Sequence, residues 1–222
     1  IGNRPGTILL EEHYRSHPRI IAFSNREFYN DRLRILTDLG NRNLPAAYKE
    51  RGLGLHWVDV LGKVETRHQN GRGRHNPTEL KTIQVLVPRI VNDLARVGLD
   101  TLSIGIVTPF REQKEMIARW LSEKYPGGDR IKVGTAHTFQ GDERDIILFS
   151  LVMAEGIGGA QGWMDSNINL LNVALTRARN TLIIVADWKY CHQLTLASKY
   201  RRLADLAEQF GSVTKQEAFS LI

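Results

Sequence analysis

Arginines and acidic residues stand together in three stretches of this 222-residue chain, each where the backbone must turn. The first is EEHYRSHPRIIAFSNREFYNDRL, residues 11–33. Pro18 disfavours helix at His17, while Ile20, Ile21, Phe23 and Phe28 suit a short amphipathic helix. Arg15 thus sits in a connection just before a helix, a place from which a guanidinium can reach a neighbouring domain. Arginine suits phosphate because its planar fork stays charged and donates two parallel hydrogen bonds. On chemistry alone Arg15 is one of many arginines.

The second stretch, VGTAHTFQGDERDIILFSLV (133–152), ends a strand in small and hydroxyl residues and turns at Phe139, Gln140 and Gly141. Thr135 and Thr138 offer hydroxyls to backbone phosphates, and Gly141 lets the chain approach a ligand. DERD resembles a magnesium-holding Walker B box but has the wrong order. There the apolar strand precedes the acids, whereas here Ile146–Phe149 follow Asp142 and Glu143. The third stretch, SNINLLNVALTRARNTLIIVAD (166–187), reads as a helix capped by Ser166 with Arg177 and Arg179 at its C-terminal end. Complementing the helix dipole accounts for one of the two arginines. A fourth piece, TPFREQKEMI (108–117), is a strand-to-helix corner whose free N–H groups suit phosphate, as would many such corners.

These residues need elements to hold them. Apolar, β-branched runs at 55–60, 103–109, 131–138, 145–152 and 181–187 read as strands buried on both faces. Helical spacing covers 77–97, 110–124, 166–179 and 199–210. Asn76, Pro77 and Glu79 form a capping box, so their simplest role is to start a helix. Alternating strands and helices predict a doubly wound α/β domain with a mostly parallel sheet, in which ligands sit beyond the strands' carboxyl ends. The working residues are therefore expected after 109, 138 and 152 and at nearby helix ends. GKVETRHQNGRGRHN (62–76) lacks periodicity and reads as a mobile basic loop, either solvated or touching nucleic acid through Arg67, Arg72 and Arg74.

Composition sets the bounds. A 42% apolar and 24% charged chain of this length is ordinary for one globular domain, taken as residues 1–222. No run approaches the roughly 20 apolar residues of a membrane span, and no signal peptide opens the chain. Cys191 has no partner for a disulfide and fits a packed thiol in a reducing, cytoplasmic setting, with the nucleus open to a eukaryotic protein. Scattered histidines and a lone cysteine give a fixed zinc site nothing to build on. The net charge of +6 is compatible with a polyanion without requiring one.

Four segments in this order, YRSHPRIIAFSNREFYNDRL, IVTPFREQ, GTAHTFQGDERDIILFSLV and LNVALTRARNTLIIVAD, resemble the C-terminal motor domain of superfamily 1 helicases. The resemblance covers most of residues 7–190 and is to the subgroup containing the nonsense-mediated-decay helicase. It implies a three-layer RecA-like fold of the P-loop NTPase type. It also implies that Arg15 and Arg177 reach the γ-phosphate of ATP, that Tyr14 lies near the adenine, and that Gly141 and Glu143 lie near phosphates and ribose, with Arg179 part of the same ATP site. Thr108, Pro109, Thr135 and Thr138 would line the backbone of single-stranded DNA or RNA, with Arg72 and Arg74 assigned to it from the basic loop.

The chain carries no GxxxxGK[ST] loop and no Walker B strand. Both, with the magnesium that accompanies ATP, are expected on a first RecA-like domain upstream. An isolated second half should then neither bind ATP tightly nor hydrolyse it. Two other readings stand beside this one: a RecA-like module that only holds nucleic acid or protein, and a motor that remodels complexes without unwinding.

Overall fold

The structure is a computed structural model that describes residues 11–67 and 73–222. Strand β1 (Glu12–His13) leads through Arg15 to helix α1 (Pro18–Tyr29), and β2 (Arg34–Ile35) returns to pair with β1 in parallel. After a π-turn at Tyr48–Gly52 come β3 (Gly54–Asp59), the short β4 (Glu65–Thr66) and β5 (Arg74–His75), and α2 (Pro77–Arg96). Then follow β6 (Ile104–Val107), α3 (Arg111–Lys124), β7 (Ile131–Gly134) and β8 (Arg144–Ser150). Helices α4 (Ala160–Ser166) and α5 (Ile168–Leu175) lead to β9 (Ala178–Ala186), and α6 (Trp188–His192), α7 (Lys199–Gln209) and β10 (Val213–Lys215) complete the main elements.

Six strands form one wholly parallel sheet in the order β10-β3-β9-β8-β6-β7. Alternate residues enter opposite cores. On one face Leu55, Trp57, Ile147, Phe149, Leu182 and Ile184 pack with α1, α5 and α7. On the other Val58, Ile146, Leu148, Ile183 and Val185 pack with α2 and α3. Both sides of each strand being covered, the strands read as continuous apolar runs and not as alternating ones. This is the three-layer α/β fold expected from the sequence.

Several boundaries differ from those the sequence predicts. The strand over 131–138 ends at Gly134, because Thr135 and Ala136 turn at once and accept backbone bonds from Thr138 and Phe139. The helix over 166–179 is two helices broken at Asn167. Ser166 is therefore no N-cap; it ends α4, its hydroxyl donating 2.8 Å to the Gly162 carbonyl. Strand β9 starts at Ala178, so Arg179 lies within the strand and Arg177 in the link before it. The basic loop is partly a ribbon: β4 pairs antiparallel with β5, and Arg67 reaches Glu112 on α3 at 3.0 Å. Arg72 lies outside the described residues.

Asn76 and Glu79 do more than start a helix. The Asn76 side chain accepts from the Thr78 and Glu79 N–H groups, as an N-cap should. Its own N–H, however, donates to Gln113 Oε1 at 3.0 Å, not to Glu79. The Glu79 carboxyl, wholly buried, accepts from Ser150 Oγ (2.6 Å), Val152 N (3.0 Å) and Asn76 Nδ2 (3.1 Å). Gln113 Nε2 donates to Ser150 Oγ at 3.0 Å and closes the ring. The ring ties the starts of α2 and α3 to the end of β8. It also braces Val152, whose φ of 54° puts a β-branched residue in the left-handed region at a cost of about 1–3 kcal/mol.

A buried carboxyl and a half-buried imidazole make stability depend on pH in opposite directions. Burial raises Glu79 to about 8 against the pull of its three donors. The folded carboxyl then keeps a proton that the unfolded one has lost. Its contribution is whole below the usual 4.5 and is lost as pH rises to about 8. Chemical denaturation from pH 5 to 8 should show this fall, and Glu79→Gln should remove it; an identical slope in the variant contradicts the assignment. His17 caps α1 by accepting from Arg19 N at 3.2 Å. Burial and the charges of Arg19 and Arg42 lower it to about 4. Its contribution is present above 6.5 and is lost as pH falls toward 4. His17→Asn, a cap that does not titrate, is expected to weaken that acid-side loss in urea melts, and an unchanged acid limb counts against it.

Candidate functional site

In a parallel sheet each strand-to-helix corner lies at the carboxyl edge and each return to a strand at the amino edge. Glu143 precedes β8, and Arg177 precedes β9, its neighbour. Both therefore stand at the amino edge, where Arg144 N donates 3.0 Å to the Arg177 carbonyl. The expectation that all working residues gather beyond the carboxyl ends is corrected here. Thr108 and Pro109 do lie there, after β6; the arginines lie at the opposite edge. Strand β8 spans the two, a distance of about 20 Å at the usual rise per residue.

At the amino edge Tyr14, Arg15, Glu143 and Arg179 line one open hollow of about 710 Å³. Arg15 Nε meets Glu143 Oε1 at 2.8 Å, both side chains partly exposed. Arg177 stands just outside the lining. Its Nε donates to the Val173 carbonyl at 3.2 Å and a terminal nitrogen to Thr176 Oγ1 at 3.3 Å. Burial, and after it the like charge of Arg15, lowers the Arg177 guanidinium below its usual range, with Glu143 opposing. Glu143 thus pairs with Arg15 and lies close enough to Arg177 for its charge, with that of Asp142, to act on that guanidinium. Tyr14 is 61% exposed, its hydroxyl donating 2.6 Å to Glu12, a contact that raises its pKa.

The other acids of DERD are otherwise engaged. Asp142 accepts from Lys132 at 2.7 Å and Arg144 at 3.1 Å, which holds it below the usual carboxylate range. Asp145 accepts from both the amide and the hydroxyl of Ser103. Gly141 has φ 84°, and a side chain there would meet nothing within 4 Å. The glycine thus answers a backbone conformation; close packing does not require it. The turn carries the chain from the end of β7 back to the start of β8 and presents Glu143.

Arg42 went unnoticed in the sequence. One of its terminal nitrogens donates to the Arg179 carbonyl at 2.9 Å and also to Asn180 Oδ1, and the other to the Arg15 carbonyl. With His17 N bonded to the Arg179 carbonyl at 2.9 Å, it straps the Tyr14–Ser16 segment to the start of β9. His13 adds a second fastening, its Nε2 accepting from Ser16 N at 2.9 Å. Burial, and after it Arg15, lowers the His13 pKa and favours the neutral acceptor. Nothing in the region 33–52 has a periodic or spacing signal that would single out Arg42.

The strand-contact candidates divide. Pro109 and Arg74 line a groove at the carboxyl edge. Thr108 is wholly buried, and its Oγ1 has no partner among the described residues, so it does not face the surface as the sequence reading requires. Thr138 is exposed and Thr135 half-buried, their hydroxyls 3.4 Å apart at the end of β7. Cys191 is buried and its thiol pushed well up by burial, in keeping with a packed thiol. Among the described residues no helix is long and apolar enough to cross a membrane.

Comparison with known proteins bears on these residues as a set. A family model described as an AAA domain matches residues 3–189. Helicase sen1 of Schizosaccharomyces pombe is 32% identical over 185 residues, covering 81% of this chain and 10% of that protein. Helicase SEN1 of Saccharomyces cerevisiae is 29% identical over 203 residues, covering 90% and 9%. The mouse 5′-3′ DNA helicase ZGRF1 is 29% identical over 190 residues, covering 84% and 9%. The chain spans about a tenth of the length of each of these three. It belongs to the AAA domain family that the model describes, as a C-terminal domain of the superfamily 1 helicases in the subgroup of the nonsense-mediated-decay helicase.

Proposed function

We propose that this domain is the half of an ATP-driven helicase or translocase motor that supplies arginines to a nucleotide bound mainly elsewhere. The observation that carries the reading is that Arg15, paired with Glu143, and Arg177, near enough to feel the charge of both, stand together at an open edge of the sheet. The sequence has no phosphate-cradling P-loop, and no cluster of three or more His, Cys, Asp or Glu among the described residues is placed to hold a metal. Magnesium and the phosphate cradle belong, in this reading, with an upstream RecA-like domain.

The residues divide the work. Tyr14, exposed at the rim, offers a ring face to a base. Glu143 holds Arg15 in place and would give it up to a terminal phosphate, a stronger and more highly charged acceptor. Arg177, anchored by Val173 and Thr176, neutralises charge that grows on the transferring group, a contribution worth roughly 10³–10⁵ in rate. Arg179 lines the same hollow and adds positive charge to it. Hydrolysis then depends on closure of two domains, and loss of the phosphate frees both arginines and lets the cleft reopen. A single strand gripped at the carboxyl edge advances with that cycle. Whether it is DNA or RNA is set by contacts that backbone-binding hydroxyls do not report.

In the full-length parent, Arg177→Ala is expected to leave ATP affinity within a few-fold and to lower strand-stimulated turnover by about 10³ or more. Arg15→Lys should fall the same way, since an ammonium lacks the planar fork. Steady-state hydrolysis with a parallel nucleotide-binding titration separates the two effects; turnover within twofold of wild type for Arg177→Ala rules out the finger assignment.

A further inference from the structure

The carboxyl edge of the sheet holds a second concavity, of about 410 Å³, which the arginine site does not use. Its walls are Phe110 at the start of α3 and Trp163 on α4, with ring centroids 5.9 Å apart and planes inclined at 44°. Its floor is Gly159 and Ala160, which bring no bulk against the rings. The charged groups that line it are Arg74 and Arg111, and no carboxylate lines it. Trp163 is 42% exposed, a large apolar surface left in water.

The surroundings hold this arrangement in place. Arg74 Nε donates 3.1 Å to the Ile157 carbonyl, and the Arg67–Glu112 pair fastens the β4–β5 ribbon to α3 beside Phe110. Arg111 pairs with Glu115 at 2.7 Å while its side chain stays 87% exposed. Behind Pro109, Trp163 also covers a narrow cleft that contains the Thr108 hydroxyl, buried and without a partner. A buried hydroxyl with no hydrogen bond is costly.

We infer that this groove is a nucleobase-stacking subsite for a single strand: a base stacks against the exposed face of Trp163, which Phe110 backs, and Arg74 and Arg111 take the flanking phosphates. Aromatic faces beside cations are what a sequence-tolerant single-strand site requires, since every base has a face to stack and every nucleotide a phosphate. The inference rests on the strand-gripping reading of this edge and adds to it the residues that hold the bases.

The test uses the full-length parent and a fluorescent oligothymidylate or oligouridylate, with affinity read by anisotropy over a range of salt. Trp163→Ala should weaken binding roughly 5- to 150-fold, the range expected for loss of one stacked base, and Trp163→Phe should recover most of it. One abasic residue at the seated position should weaken wild type by a similar factor and Trp163→Ala hardly at all. Arg74→Gln should lower the slope of log affinity against log salt by about one. If wild type binds the strand but neither Trp163→Ala nor any single abasic position changes affinity by more than twofold, the subsite is refuted while strand gripping stands. If wild type binds no strand, both fall together.

Discussion

Six strands that all run the same way fix where this domain can do its work. Every corner into a helix falls at one edge of the sheet and every corner into a strand at the other. The arginine hollow occupies the second edge and the aromatic groove the first, with β8 running between them. Both ends of β8 are tied down: Arg144 N to the Arg177 carbonyl at the start, Ser150 to buried Glu79 at the end. Strand β8 is thus fixed at both ends and joins the two edges directly.

Electrostatics make the arginine edge responsive. Arg15, Arg42, Arg177 and Arg179 crowd around segments that Glu143 and Asp145 only partly neutralise. Burial and like charge lower both Arg42 and Arg177, yet a guanidinium does not give up its proton in this range. Besides Glu143, the carboxylates of Glu12 and Asp38 also line the hollow. Arg42 and the neutral imidazoles of His13 and His17 spend most of their bonds on backbone and so hold the Tyr14–Ser16 segment, while Arg15 and Arg179 line the hollow.

The sheet was legible in the sequence because strands covered on both faces carry long apolar runs, and Ile146–Phe149 and Leu182–Val185 stand where those runs predict. Boundaries were less so. Thr135–Thr138 look β-prone by composition, but the tight turn after Gly134 depends on long-range packing of Phe139 beneath β6. Glu79 read as a cap because its spacing from Asn76 fits one; that it closes a buried ring with Gln113 and Ser150 depends on residues 34 and 71 positions away. Arg15, Glu143 and Arg177 stand out in the sequence by their motifs, whereas Arg42 and Trp163 draw notice only by where the folded chain brings them. Thr108 shows the reverse case, a residue in the motif whose side chain is buried.

The central claim is that the arginines of this domain complete a site they cannot form alone. The direct measurement is ATP hydrolysis by residues 1–222 in isolation, with and without single-stranded DNA or RNA, beside the full-length parent. The account predicts no turnover above background for the isolated domain under any of these conditions, and strand-stimulated turnover for the parent. Hydrolysis by the isolated domain that disappears with Arg177→Ala would contradict it, since the site would then be complete within this chain.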